Sequence, residues 1–286
     1  MSVDILQEKI RKTKNPSVLL IEAIPSWLPS HLRQEEAMPQ AFARFVRELL
    51  DGLKGVIPAV RFGFGSFSLL GADGVDVLHQ SAKYAKDLGF YVLLDLPEML
   101  TPESTKNAAS VAAALPCDGV VAGMYLGSDI LTALRPLCEK GKTVFAICRT
   151  SNKSAGDLQD LLTGGRLVHT AAADLISRYG EPLIGKCGYS HMGLVAAAAS
   201  AQSLQTLRGK FSRIFMLLDG YDYPNANAKN CSFAFDRFGH GAAAVAGASV
   251  AAAWKEGETD GGDYVALAVQ AAERMKKNLT RYVTVL

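Results

Sequence analysis

The run Tyr91-Val92-Leu93-Leu94-Asp95-Leu96-Pro97-Glu98-Met99-Leu100 decides the fold. Its first half is continuously apolar and has the length of a strand, and Asp95 stands at the end of that strand. A sheet that is covered on both faces requires such strands, because neither side of the strand meets water. The run therefore predicts one strand of a parallel sheet, with a carboxylate at the edge where α/β proteins place their chemistry.

Similar apolar runs recur along the chain and alternate with amphipathic segments. The predicted strands are 17–23, 56–62, 91–95, 119–125, 143–149, 194–199, 213–219 and 241–247. The predicted helices are 39–53, 73–88, 102–115, 128–139, 168–179, 200–209, 229–238 and 263–278, with an extra helix at 5–14 before the first strand. This alternation predicts an α/β protein, a (β/α)8 TIM barrel. No linker interrupts the pattern, so we expect residues 1–286 to form a single domain.

The composition excludes several classes of protein. Of the 286 residues, 49% are hydrophobic and 20% are charged, and the net charge of +2 is spread without blocks of one sign. We therefore expect no nucleic acid and no membrane as a partner. The chain opens without a secretory signal, and its five cysteines have no C-x-x-C spacing. These features predict a cytoplasmic protein without disulfides and without a metal site.

The carboxyl ends of the predicted strands carry the candidate functional residues, because in a TIM barrel these ends surround one mouth. The candidates are Glu22, Arg61, Asp95, Arg149, Thr150, Ser151, Asn152, Asp219, Gly247, Ala248 and Ser249. Carboxylates and arginines in this position suit a small polar ligand. The alternative is that opposite charges at the rim only pair with one another.

Three segments carry a resemblance to a known family. They read RTSNKSAGDLQDL at 149–161, EPLIGKCGYS at 181–190 and VIPAV at 56–60. In this order they resemble the orotidine 5′-phosphate decarboxylases of the longer bacterial branch. The resemblance implies a phosphate-binding barrel, usually a homodimer with active sites at its interface. Such enzymes convert orotidine monophosphate (OMP) to uridine monophosphate (UMP) without a cofactor.

The catalytic motif of that family is degenerate in this chain. The family carries D-x-K-x-x-D-I-x-x-T after the third strand, where the lysine protonates a developing carbanion and aspartates hold the lysine. Asp95 matches the first aspartate, but Pro97 stands at the lysine and Leu100 at the second aspartate. Arg61 replaces a lysine after the second strand, and Glu22 replaces the aspartate of the first. Since arginine does not readily release a proton near neutral pH, Arg61 is a poor donor, and we expect it to pair with Asp95.

The phosphate-binding loops differ from the family pattern as well. The chain has DGYDYP at 219–224 and GASV at 247–250, where the family has a Gln-containing loop and an arginine. Carboxylates there repel a dianion, although backbone N–H groups after the eighth strand could still cradle one. The resemblance makes Asp219, Gly220, Gly247, Ala248 and Ser249 candidate ligand-binding residues. It also puts Thr150, Ser151 and Asn152 beside the base, but these three equally form a turn and cap motif.

Three functions remain open from the sequence. The first is a degenerate homologue that keeps the barrel and the dimer, binds a nucleotide, a small polar ligand or a partner, and does not decarboxylate OMP. The second is a rebuilt enzyme that acts on another small polar substrate, with Glu22, Arg61 and Asp95 as its catalytic residues. The third is an OMP decarboxylase that works by an unfamiliar geometry.

Overall fold

Eight parallel strands close into a barrel in the computed structural model, which describes residues 2–97, 100–257 and 260–286. The strands follow one another around the barrel in chain order, and β1 pairs with both β2 and β8. The strands are β1 Ser17–Ile21, β2 Ala59–Phe62, β3 Tyr91–Asp95, β4 Gly119–Gly123, β5 Thr143–Ile147, β6 Met192–Ala197, β7 Met216–Asp219 and β8 Ala242–Ala246. Each overlaps one of the predicted strands, so the predicted (β/α)8 TIM barrel is confirmed.

Helices cover the outside of the barrel and bury its outer face. They are α1 Ser2–Thr13, α2 Ser30–Glu35, α3 Met38–Leu53, α4 Phe64–Ser68, α5 Gly71–Asp87, α6 Pro102–Ala114, α7 Ser128–Glu139, α8 Gly156–Gln159, α9 Val168–Gly180, α10 Ala201–Lys210, α11 Ala228–Ser232, α12 Ala248–Ala251 and α13 Tyr264–Thr280. A short antiparallel hairpin, 162–167, follows α8 and was not predicted. Among the described residues, no helix has both the length and the apolar character needed to span a membrane.

The extra N-terminal helix, predicted at 5–14 and observed as α1, packs against the amino end of the barrel. The Ser2 hydroxyl lies 2.7 Å from the hydroxyl of Tyr91, which donates to Thr143 at 2.9 Å. Ser2 also donates to the carbonyl oxygen of Asp118 at 2.6 Å. Because Tyr91 and Thr143 are fully buried, these contacts satisfy hydroxyl groups that would be costly to bury alone. The opposite end of the barrel, where the strands finish, is left for the candidate site.

The strand register determines which side chains point into the barrel. Residues two apart on a strand share a face, and directly paired residues on neighbouring strands do as well. Arg61 pairs with Leu93, and Asp95 lies two residues after Leu93 on the same face. Asp219, the last residue of β7, pairs with Ala197 of β6. Arg61 bonds to both aspartates, and since β2 and β7 are not neighbours, this shared face is the inside of the barrel.

The helix predicted at 229–238 is wrong in its second half, since α11 ends at Ser232. Side chains take up the backbone groups that a longer helix would use. Arg208 donates to the carbonyl oxygen of Ala234 at 2.6 Å, and the Asp236 carboxylate accepts the N–H groups of Phe238 and His240 at 2.8 and 2.9 Å. A carboxylate that binds nearby backbone N–H groups competes with helix formation.

Candidate functional site

A guanidinium group held by two carboxylates lies at the centre of the barrel mouth. Arg61 donates from Nε to Oδ1 of Asp95 at 2.5 Å and from Nη2 to Oδ2 of Asp95 at 3.0 Å. Its Nη1 donates to Oδ2 of Asp219 at 3.2 Å. The Arg61 side chain is only 7% exposed, whereas those of Asp95 and Asp219 are 24% and 32% exposed. The bidentate pair with Asp95 matches the planar geometry of the two groups and fixes both side chains.

The mouth holds more acidic than basic groups, and the pKa values reflect it. Burial disfavours the charge of Arg61, but Asp95 and Asp219 raise its pKa above the ordinary value, so it stays protonated. Burial raises the pKa of Asp95 and Arg61 opposes this, while Asp219 adds to the rise. Burial also raises the pKa of Glu22, and the charges of Asp95 and Asp219 raise it further against the effect of Arg61. Arg61 bonds to Asp95 and Asp219, and among the described hydrogen bonds none joins it to Glu22.

Glu22 follows β1 and lies half-buried against the backbone at Gly63, where a Cβ atom would come within 3.0 Å of its Cγ. Its carboxylate accepts no hydrogen bond from the residues that the structure describes. A half-buried carboxylate without a donor is poorly solvated, which is consistent with its raised pKa. Glu22 is thus free to bind a donor that comes from outside the chain.

A cavity of about 290 Å³ opens beside this group, and we call it the mouth cavity. The sequence candidates that line it are Glu22, Thr150, Ser151, Asn152, Asp219, Gly220, Gly247 and Ala248. Trp27, Asp222 and Tyr223 line it too, and none of its described lining residues is a lysine or an arginine. Arg61 lies beneath this wall, and Asp95 lines a separate apolar cavity of about 400 Å³ between α5 and α6.

Asp222, in the DGYDYP segment at 219–224, is a residue of the cavity wall that the sequence does not predict as a site residue. Its Oδ2 accepts the Gly247 N–H at 2.7 Å, and its Oδ1 accepts the hydroxyl of Ser249. Ser249 was a candidate ligand-binding residue, but it does not line the mouth cavity and instead bonds to Asp222. Two of the donors that the sequence offered for an anion, the Gly247 N–H and the Ser249 hydroxyl, are thus already used by a carboxylate of the same chain.

The loop after β5 is both a turn and part of the cavity wall. The Thr150 hydroxyl donates to the Asn152 side chain at 2.6 Å, and Asn152 donates to Ser154 at 3.1 Å. Ser151 reaches across to β7 and donates to the carbonyl oxygen of Asp219 at 2.7 Å. The turn is therefore present and lines the cavity, whereas the binding of a ligand by these three residues stays a prediction.

Arg149, a candidate at the same rim, is committed elsewhere. Its Nε and Nη2 donate to the two carboxylate oxygens of Asp160 at 3.1 and 2.7 Å. Oδ1 of Asp160 also lies 3.1 Å from Nδ1 of His169. Arg149 does not line the mouth cavity and is bonded to Asp160, so its part in ligand binding stays a prediction.

Among the residues of the loop after β3 that the structure describes, none brings a proton donor to Asp95. Pro97 lines the apolar cavity between α5 and α6, and the side chain of Leu100 is exposed. Glu98 and Met99 lie outside the described residues. Within the described part of the chain, no three histidine, cysteine, aspartate or glutamate side chains are grouped to hold a metal ion.

Comparisons with known proteins point to one family. The family model of the orotidine 5′-phosphate decarboxylases and the HUMPS family matches residues 46–223. The orotidine 5′-phosphate decarboxylase of Clostridium novyi is 24% identical, with 98% of each chain covered. That of Clostridium kluyveri is 28% identical over 91% of this chain and 90% of the relative. The solved structure of the Leishmania donovani OMP decarboxylase superposes with a TM-score of 0.74 at 21% identity, covering 97% of this chain and 98% of that one.

Replacing Glu22 by glutamine tests whether ionisation of this carboxyl group destabilises the folded protein. A carboxyl whose pKa is raised on folding stabilises the fold fully below its unfolded pKa, here near 4.5, and the contribution is lost as pH rises through the folded pKa. Urea denaturation measures this effect. The free energy of unfolding of the wild type should fall relative to that of Glu22→Gln as pH rises from about 4.5 towards about 8.

Glu103→Gln, at an exposed carboxylate in the first turn of α6, is the matched control and should show no such trend. A difference between wild type and Glu22→Gln that does not change with pH would contradict the assignment.

Proposed function

Because the chain belongs to the orotidine 5′-phosphate decarboxylase / HUMPS family, we propose that it is a ligand-binding barrel that has lost the decarboxylation of OMP. The observation that carries this proposal is the state of Arg61. It is the cation of the mouth, and it is bound by Asp95 and Asp219 at once.

Decarboxylation leaves a carbanion that must be protonated, and none of the described residues that line the mouth cavity is a lysine that could protonate it. Asp95 and Asp219 raise the pKa of Arg61, so its protons are less available than those of an ordinary arginine. Pro97 has no side-chain proton, and the exposed Leu100 can neither hold nor orient a donor. Loss at three separate positions is harder to compensate than a single substitution. The proposed protein therefore keeps the barrel and its cavity without the reaction.

One observation favours the second candidate function, a rebuilt enzyme that uses Glu22, Arg61 and Asp95. Glu22 has a raised pKa and accepts no hydrogen bond from the described residues, which suits a general acid or base that works nearer neutral pH. Arg61, which Asp95 fixes beneath the cavity wall, would hold the carboxylate of Asp219 in place beside the substrate. The names of the relatives favour the third candidate, an active OMP decarboxylase, but the chemistry of the mouth does not.

The absorbance change of OMP on decarboxylation tests the loss of activity. The purified chain should turn over no OMP above the rate of Asp95→Asn, because in neither protein does a lysine of the described mouth lining stand ready to protonate the carbanion. Asp95→Asn also separates the activity of this mouth from that of a contaminating decarboxylase, which the substitution would leave unchanged. Steady OMP turnover by the wild type, absent in Asp95→Asn, would contradict the proposal.

We also propose that the protein is a homodimer in the cytoplasm, with a nucleotide or another small polar molecule as its ligand, and with neither nucleic acid nor membrane as a partner. The five cysteines are free thiols, as is usual in a reducing compartment. The side chains of Leu100, Tyr125 and Leu126 are 83%, 40% and 54% exposed, and they surround one cavity beside the loops after β3 and β4. Exposed apolar side chains that cluster in this way are typical of a protein interface.

Sedimentation tests the dimer. The wild type should sediment as a dimer, and Leu126→Glu as a monomer, because a charge buried at the centre of an apolar interface would lack a partner. Tyr282→Glu is a control at a side chain of nearly the same exposure, 55% against 54%, and should remain dimeric. A monomeric wild type, or a dimeric Leu126→Glu, would count against this interface.

A further inference from the structure

The mouth cavity has a negative wall. Glu22, Asp219 and Asp222 line it, and its described lining includes no basic residue. The nearest cation, Arg61, already bonds to Asp95 and Asp219 and is almost fully buried. A cleft lined by charges of one sign concentrates ions of the opposite sign and repels those of the same sign. The field in this cavity therefore favours a cation and disfavours a phosphate.

Asp222 reinforces this selection by filling the place where TIM barrels often bind phosphate. That place is formed by the loops after the seventh and eighth strands and by the start of a short extra helix, here α12. The Gly247 N–H, immediately before α12, donates to Asp222 at 2.7 Å, and the Ser249 hydroxyl donates to the same carboxylate. An incoming phosphate would have to displace a charged acceptor that the chain itself supplies.

Glu22 supplies the complementary feature, an acceptor without a donor. Its half-buried carboxylate accepts no hydrogen bond from the described residues and faces the mouth cavity. An ammonium group offers three donors and a positive charge, so it would satisfy both needs of this carboxylate. Two aromatic residues, Trp27 and Tyr223, lie in the same wall. Aromatic rings with carboxylates are a common environment for organic cations.

We propose that the mouth cavity binds a small organic amine without a phosphate group, with Glu22 as its counter-charge and Asp222 as the residue that excludes phosphate. The inference rests on the proposed function in one respect, that this cavity is the ligand site of the barrel. The ligand class that this cavity favours is then a small organic amine.

Calorimetry with probes of matched length tests the ligand class on the wild-type protein. The cation 1,4-diaminobutane should bind, and so should tyramine, whose ring can pack against Trp27 and Tyr223 in the cavity wall. The neutral 1,4-butanediol, the dianion succinate, inorganic phosphate and UMP should bind at least about tenfold more weakly, because they lack the charge that the carboxylates attract. Failure of every amine to bind, or tighter binding of an anion, overturns the proposal.

Two substitutions assign the roles of the carboxylates. Glu22→Gln should weaken diaminobutane binding at least about tenfold, since a hydrogen bond to a charged group is lost, while Glu103→Gln should leave it unchanged. Asp222→Ala frees the Gly247 N–H and the Ser249 hydroxyl and should strengthen phosphate binding at least about tenfold, whereas Asp157→Ala on the exposed surface should not. Phosphate binding that Asp222→Ala leaves unchanged contradicts the excluding role.

The two proposals fail in different ways. Turnover of OMP by the wild type would overturn the loss of decarboxylation whatever the amines do. Phosphate or UMP binding that is tighter than amine binding, without turnover, would overturn the amine proposal and leave the loss of decarboxylation intact. If Asp222→Ala does not fold, Asp222→Asn weakens the same acceptor with little change of shape and should still raise phosphate affinity above that of the wild type.

Discussion

One buried guanidinium determines the structure of the barrel mouth. Arg61 on β2 bonds to Asp95 on the neighbouring strand and to Asp219 on the far side of the barrel. Taking charges out of water is costly unless each is paired, so neither carboxylate can turn away without leaving a charge unpaired. This group holds β2, β3 and β7 in a fixed relation at the mouth. It also occupies the centre of the space in which chemistry would have to take place.

The excess of carboxylates around Arg61 has consequences for function. One positive charge cannot neutralise Glu22, Asp95 and Asp219 together, and the raised pKa of Glu22 expresses this imbalance. Asp222 adds a further carboxylate and takes the backbone donor that an anion would need. A mouth of this charge is a poor site for a phosphorylated substrate and a good one for a cation. These charges are the common basis of the proposed loss of decarboxylation and of the proposed preference for an amine.

The sequence predicts the barrel well and the site in part. The eight strands could be predicted because each is a continuous apolar run between helices, a pattern that depends only on burial. The pairing of Arg61 with Asp95 could be expected because both stand at the ends of neighbouring strands. The bond between Asp222 and Gly247 could not, since it joins two loops whose shapes no periodic pattern sets. The commitment of Arg149 to Asp160 was missed for the same reason.

The coupling free energy between Arg61 and Asp95 tests the central claim most directly. It is obtained from the free energies of unfolding of Arg61→Met, Asp95→Asn and the double variant near neutral pH. Because the pair is bidentate and Arg61 is buried, we predict a coupling free energy of about 2 kcal/mol or more. The losses of stability in the two single variants should add up to more than the loss in the double variant. A coupling below about 0.5 kcal/mol, the value of an exposed ion pair, would contradict the account.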